Sequence, residues 1–177
     1  MRSTDSWPGS SWPQNYSALR ARLSLVGLDS LYKEVILDHY RNPRNRAELA
    51  DVHRHADGNN PLCGDKISLD LTIDGDIVAG ISVQGQGCSI SQASASLMSE
   101  AIKGKNLQEI ARLRQLFSTM MTSDEAIVDP DRPGAVLGEL EALAGVKAFP
   151  VRIKCASLPW ATLDVALAGD AEPATTD

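Results

Sequence analysis

The chain has 177 residues, 43% of them hydrophobic, and a formal charge of −6 at neutral pH. That length fits one domain with room for extras, and the apolar content is enough for a real core. The acidic balance argues against a nucleic-acid module, which carries a basic stripe, and no apolar run approaches the roughly 20 residues that a membrane span needs.

The first residues lack the apolar stretch of a secretory signal. The chain holds three cysteines, which cannot all pair with one another. An odd count without a signal favours a reducing, cytoplasmic setting, where thiols serve metal binding or reactivity rather than cross-linking.

Residues 1–28 read as a disordered leader. The stretch Trp7-Pro8-Gly9-Ser10-Ser11-Trp12-Pro13 is dense in turn formers and has neither helical nor strand period. Ala18 to Leu25 offer one or two helical turns. A domain is expected over 29–169. Its first helix starts at Asp29 or Ser30, either of which can cap it. Leu31, Tyr32, Val35, Ile36 and His39 give it an amphipathic pattern, and Asn42-Pro43 ends it. His39 reads as a packing or hydrogen-bonding residue rather than a ligand. Arg44 to Asn59 reads as a polar, basic connection with solvated His53 and His55.

The clearest strand alternates Ile67, Leu69, Leu71 and Ile73 with Ser68, Asp70 and Thr72. Period two with one dry face is the mark of a half-buried strand. Asp74-Gly75 signals a hairpin, and Ile77, Ala79, Ile81 and Val83 continue as the returning strand. Gln84-Gly85-Gln86-Gly87 loosens the backbone before Cys88. Ser89 then reads as the cap of a helix carrying Ile90, Ala93, Leu97, Met98, Ala101 and Ile102, closed by Gly104. Its small run from Ser91 to Ser96 admits a close neighbour. Asn106 and Glu109 form a capping box ahead of Leu107, Ile110, Leu113, Phe117 and Met120. An acidic, proline-containing loop and a short helix from Val136 to Ala144 follow. Phe149 to Cys155 leads into a last helix through Trp160, Leu163 and Leu167, stopped by Gly169. Pro159 is tolerated if that helix starts only a few residues earlier. Residues 170–177 read as a frayed tail.

Cys63 and Asp65 lie two residues apart, and in an extended segment such residues point to the same side. Cys88 and Cys155 each fall where a helix is expected to begin, a place where amide dipoles stabilise a thiolate. Together Cys63, Asp65, Cys88 and Cys155 make a set of three thiols and one carboxylate, which suits zinc. The carboxylate is the harder, more exchangeable ligand. Arg152 and Lys154 flank Cys155 and favour anionic sulfur there, and Arg152 is a candidate for steadying developing negative charge.

The blocks Asn60-Pro61-Leu62-Cys63-Gly64-Asp65, Gly85-Gln86-Gly87-Cys88-Ser89-Ile90-Ser91 and Ile153-Lys154-Cys155-Ala156 resemble the IscU/NifU-type iron–sulfur assembly proteins, and more closely their SufU branch. So do His39-Tyr40-Arg41-Asn42-Pro43 and Ile102-Lys103-Gly104-Lys105. The resemblance covers about residues 28–168, with 122–147 like the insertion of that branch. It implies an α+β fold, a small antiparallel sheet of about three strands with helices packed on one side. It implies a zinc site at Cys63, Asp65, Cys88 and Cys155. It also implies a sulfurtransferase role, in which Cys63 accepts persulfide sulfur from a pyridoxal-phosphate cysteine desulfurase of the SufS type, with a downstream iron–sulfur scaffold complex as a further candidate partner. Scaffolds of the IscU type carry histidine before the last cysteine, where this chain has Lys154. Two alternatives stay open: a scaffold that builds a [2Fe-2S] cluster, and a non-catalytic zinc-stabilised regulator that docks to the desulfurase.

Overall fold

The computed structural model of the chain describes residues 16–123, 127–129, 131–169 and 172–176, with side chains from residue 29 onward. The leader stretch with Trp7 and Trp12 lies outside the described residues. Helix α1 runs Tyr16–Arg41, so the expected start at Asp29 or Ser30 is corrected, and the one or two turns expected at Ala18 to Leu25 are part of the same helix. Alanine, leucine and arginine between Ala18 and Leu25 are strong helix formers. Gly27, between this stretch and Asp29, costs about 1 kcal/mol and does not stop a long helix. The end falls just before Asn42-Pro43, as the proline requires.

Strands β1 (Arg54–Asn60), β2 (Asp65–Asp74) and β3 (Ile77–Gln86) form an antiparallel meander. A short β4, Ala174–Thr175, pairs parallel to β1, giving the order β3-β2-β1-β4. The fold is therefore α+β with a four-stranded, mostly antiparallel sheet. The β2–β3 hairpin turns at Gly75, where φ is +62°. β1 corrects the reading of Arg44–Asn59 as a connection throughout. Its buried positions are Ala56, Gly58 and Asn60, small or polar residues that write no hydrophobic alternation. β4 likewise corrects the reading of 170–177 as frayed throughout, since Ala174 and Thr175 find a partner strand.

Helices α2 (Ser89–Ile102), α3 (Leu107–Thr122) and α4 (Pro150–Ala168) complete the domain, with a 3-10 segment at Gly138–Ala148. Ile67, Leu69, Leu71, Ile81 and Val83 of the sheet join Leu97, Met98, Leu158 and Leu163 of the helices in one core. Each fully buried leucine or isoleucine contributes about 1.5–3 kcal/mol. The small run on α2 is buried, and Ser94 Oγ reaches the Ala156 carbonyl of α4 at 2.6 Å. Phe117 of α3 stacks on Trp160 of α4, with ring centres 4.9 Å apart. The capping box of α3 is formed, with Glu109 N–H donating to Asn106 Oδ1 at 2.8 Å and Asn106 N–H to Glu109 Oε2 at 3.0 Å.

Three boundaries differ from expectation. Cys88, not Ser89, caps α2, its Sγ accepting the Ser91 N–H at 3.4 Å. The helix expected at Val136–Ala144 is instead the 3-10 segment. There the buried Glu141 carboxylate accepts the N–H groups of Gly134, Val136 and Leu137, and ties down the loop ahead of it. α4 begins at Pro150, which places Pro159 inside the helix and Cys155 beyond its first turn. Proline at the first helical position is favourable, whereas Pro159 has no N–H to give the Cys155 carbonyl four residues back. Among the described residues no helix is long and apolar enough to cross a membrane.

Candidate metal centre

β1 and β2 pair as far as Asn60 opposite Asp65, leaving Pro61 to Gly64 as a tight turn. Gly64 N–H donates to the Asn60 carbonyl at 2.9 Å. Gly64 holds φ at +69°, a conformation that costs glycine little. Cys63 therefore projects from a turn, and not from the extended segment that the two-residue spacing suggests. Asp65, the first residue of β2, is fully buried, while Cys63 is partly exposed and its neighbour Leu62 is 63% exposed.

The turn, the start of β2 and the second turn of α4 meet at one place. Cys63 Sγ, an Asp65 carboxylate oxygen and Cys155 Sγ all lie within 4.8 Å of one another. The two sulfurs are 3.1 Å apart. Cys88 lies just beyond this group, its Sγ 3.9 Å from Asp65 Oδ2 and its N–H donating to Asp65 Oδ1 at 2.7 Å. Arg152, one turn before Cys155 on α4, points its guanidinium to Cys88. Hydrogen bonding to that sulfur, with the charges of Cys88, Cys155 and Cys63, pushes the guanidinium pKa up. Lys154 has no such link among the described contacts.

Asn60 had no role in the sequence beyond its place in a motif. It is fully buried, with Nδ2 3.5 Å from both Asp65 Oδ2 and Cys155 Sγ. No sequence signal marked it, because β1 writes no hydrophobic alternation and only the fold turns Asn60 inward, where burial demands partners. Gly87 is the second residue of this kind, with φ +151° and Asp65 directly against it.

Of the two cysteines expected at helix starts, Cys88 caps α2, whereas Cys155 lies beyond the first turn of α4. Burial pushes the Cys155 thiol well above the usual range, with Cys63 and Asp65 adding to the shift. Two sulfurs and an oxygen around one point, with a third sulfur adjoining, fit a borderline-soft ion such as zinc.

A second gathering of ligand-type groups joins α1, α2 and the 3-10 segment. His39 Nε2 is 3.2 Å from Glu139 Oε2 and 3.8 Å from Glu100 Oε2, and Nδ1 is 2.8 Å from Ser96 Oγ. His39 is thus a buried hydrogen-bonding residue. His53 and His55 pair with Asp51 and with Asp57 and Asp70 on the surface.

The model of the NifU-like N terminal domain matches residues 31–156, a stretch that holds all three cysteines and Asp65. The chain belongs to the NifU-like N-terminal domain family. Within this family it is 49% identical over 143 residues to the zinc-dependent sulfurtransferase SufU of Bacillus subtilis (strain 168), covering 81% of this chain and 93% of that one. It is 40% identical over 145 residues to the iron–sulfur cluster assembly scaffold protein IscU of Streptococcus pyogenes serotype M1, covering 82% of this chain and 87% of that one. The fold matches a crystal structure from Fervidobacterium islandicum AW-1, described as a scaffold candidate of the SUF system, with TM-score 0.68 and 35% identity over 76% of this chain and 94% of that one. It also matches the NifU-like protein of Brucella abortus, with TM-score 0.69 at 19% identity, covering 80% of this chain and 95% of that one.

Proposed function

We propose that this family member is a zinc-dependent sulfurtransferase that accepts persulfide sulfur for iron–sulfur cluster assembly. Cys63, Asp65, Cys88 and Cys155 would hold the metal. Bound zinc would keep these thiols as thiolates at neutral pH. The observation that carries the reading is the placement of Cys63, on a partly exposed turn with its sulfur 3.1 Å from the buried Cys155. The 49% identity to a zinc-dependent sulfurtransferase supports it.

The donor is a pyridoxal-phosphate cysteine desulfurase of the SufS type, bearing a persulfide on its own cysteine. The Cys63 thiolate attacks the outer sulfur. The new Cys63–sulfur bond forms as the donor's sulfur–sulfur bond breaks, and the electron pair leaves on the donor thiolate. This is thiol exchange, and no oxidant is consumed. Arg152, facing Cys88, places positive charge beside the sulfurs while negative charge shifts among them. A downstream iron–sulfur scaffold complex is the proposed recipient.

The test is mass analysis of Cys63 after incubation of zinc-loaded protein with a persulfide-bearing desulfurase. One added sulfur on Cys63, absent in Cys63→Ala, is the expected result. Sulfur found on Cys88 or Cys155 instead would overturn the assignment. If Cys63→Ala still stimulates the desulfurase as well as the parent does, the protein acts as a docking regulator.

A second reading, a scaffold for a [2Fe-2S] cluster, is favoured by the 40% identity to an assembly scaffold, and cluster iron takes the same thiolate ligands. Metal analysis after exposure to iron and sulfide separates the two. Stoichiometric zinc that is not displaced supports sulfur transfer.

A further inference from the structure

We infer that Asn60 is the positioning residue that makes Cys63, rather than Cys155 or Asp65, the ligand free to leave the metal. The inference rests on the sulfur-acceptor reading and adds a cause for its division of labour. Four candidate ligands meet at this site, and the N–H groups around them are not shared equally. Asp65 accepts from the Cys88 backbone and faces the Asn60 amide. Cys88 Sγ accepts the Ser91 N–H and faces Arg152. Cys155 Sγ faces the Asn60 amide. Among the described residues, no N–H group is directed at Cys63 Sγ, whose one hydrogen-bond contact is the Cys155 sulfur.

The orientation of the Asn60 amide is fixed by its own turn. Oδ1 accepts the Leu62 N–H at 3.2 Å, so the NH₂ end must face the ligands. Nδ2 lies 3.5 Å from both Asp65 Oδ2 and Cys155 Sγ, a normal reach to sulfur and a long one to oxygen. One amide therefore tethers a carboxylate on β2 and a thiol on α4, and it is fully buried, so water does not compete. Outer hydrogen bonds of this sort orient ligands and are worth about 10–100-fold in metal affinity. Cys63 has only its turn to hold it, so it exchanges first.

The experiment uses the zinc-loaded full chain with iodoacetamide, reading the alkylation rate of each cysteine by peptide mass mapping. In the parent protein Cys63 reacts at least about tenfold faster than Cys155, following the lower bound of the outer-shell effect. Asn60→Ala removes both the donor and the turn contact. Asn60→Asp keeps the Oδ1 acceptor for Leu62 N–H and replaces the donor with a carboxylate oxygen that adds negative charge beside Asp65 and Cys155. In both variants the Cys63 preference over Cys155 falls to about twofold, and zinc affinity, measured against a chromophoric chelator, drops about 10–100-fold. Circular dichroism checks folding. If Asn60→Asp folds and keeps the parent order of alkylation and the parent zinc affinity, Asn60 is only a turn clamp and the inference is overturned. The parent arm tests the underlying reading separately. Cys88 or Cys155 reacting first in the parent overturns the choice of Cys63 itself, whatever the variants do.

Discussion

Asp65 and Gly87 stand so close at the metal-site end of the sheet that a Cβ on Gly87 would lie 2.3 Å from Asp65 Oδ1 and 2.9 Å from its Cα. No real contact of that kind survives, and Gly87 also holds φ at +151°, a conformation that other residues rarely adopt. The glycine before Cys88 is thus what lets the Asp65 carboxylate sit under the Cys88 N–H. Gly87→Ala is expected to displace Asp65, with zinc affinity falling at least about tenfold and stability by about 1–3 kcal/mol. Chelator competition and urea unfolding measure the two effects.

The Cys155 thiol gives the metal-free protein a pH dependence with a definite sign. Burial raises its folded-state pKa above the unfolded one. Unfolded cysteine ionises near about pH 8.5, so above that pH the unfolded state binds fewer protons than the folded state. Stability is fully present below the ordinary thiol range and is lost as pH rises through it. The melting temperature of metal-free protein should fall between about pH 8 and 10. In Cys155→Ala that fall should be smaller. A profile with the same slope in both proteins would remove Cys155 as its source.

Arg152 is exposed and faces Cys88 across the mouth of the site. Arg152→Ala is expected to slow sulfur acceptance by about tenfold, the low end of what electrostatic steering contributes, and to leave the melting temperature of the metal-free protein unchanged. Arg152→Lys restores part of the rate if charge is what matters. Stopped-flow transfer assays at two ionic strengths measure it. The parent's rate should fall with added salt more than the Ala variant's does.

Gly58 fixes how closely β1 lies on α4. A Cβ there would come 2.0 Å from Thr162 Oγ1 and 3.3 Å from Leu158 Cδ1. Gly58→Ala should destabilise by about 1–3 kcal/mol through overpacking. Adding Thr162→Ala removes the clashing hydroxyl, so the double variant should recover part of the loss, with a coupling of at least about 0.5 kcal/mol. Strict additivity in denaturant unfolding would mean the two positions do not press on one another.

Much of this architecture was legible in the residues. The β2–β3 hairpin followed from strict alternation about Asp74-Gly75, and the α3 capping box from Asn106 and Glu109, because both signals are local. β1 was not legible, since its inward positions are Ala56, Gly58 and Asn60. Their burial comes from contact with α4, and no hydrophobic period announces it. The start of α1 and the true start of α4 were misplaced for a related reason: Asp29, Ser30 and Pro159 are boundary signals that a longer helix overrode.

The sequence by itself determined the family and the chemistry, because three cysteines and an aspartate in their Pro- and Gly-rich settings are a property of the chain's order. Tertiary structure alone decided how these groups differ. It placed Cys63 on a partly exposed turn and Cys155 inside α4, where burial pushes its thiol pKa up. It also aimed the buried Asn60 amide at Asp65 and Cys155. Burial and hydrogen-bond geometry are set by elements far apart in sequence, and here they separate candidate ligands that the sequence presents as equals.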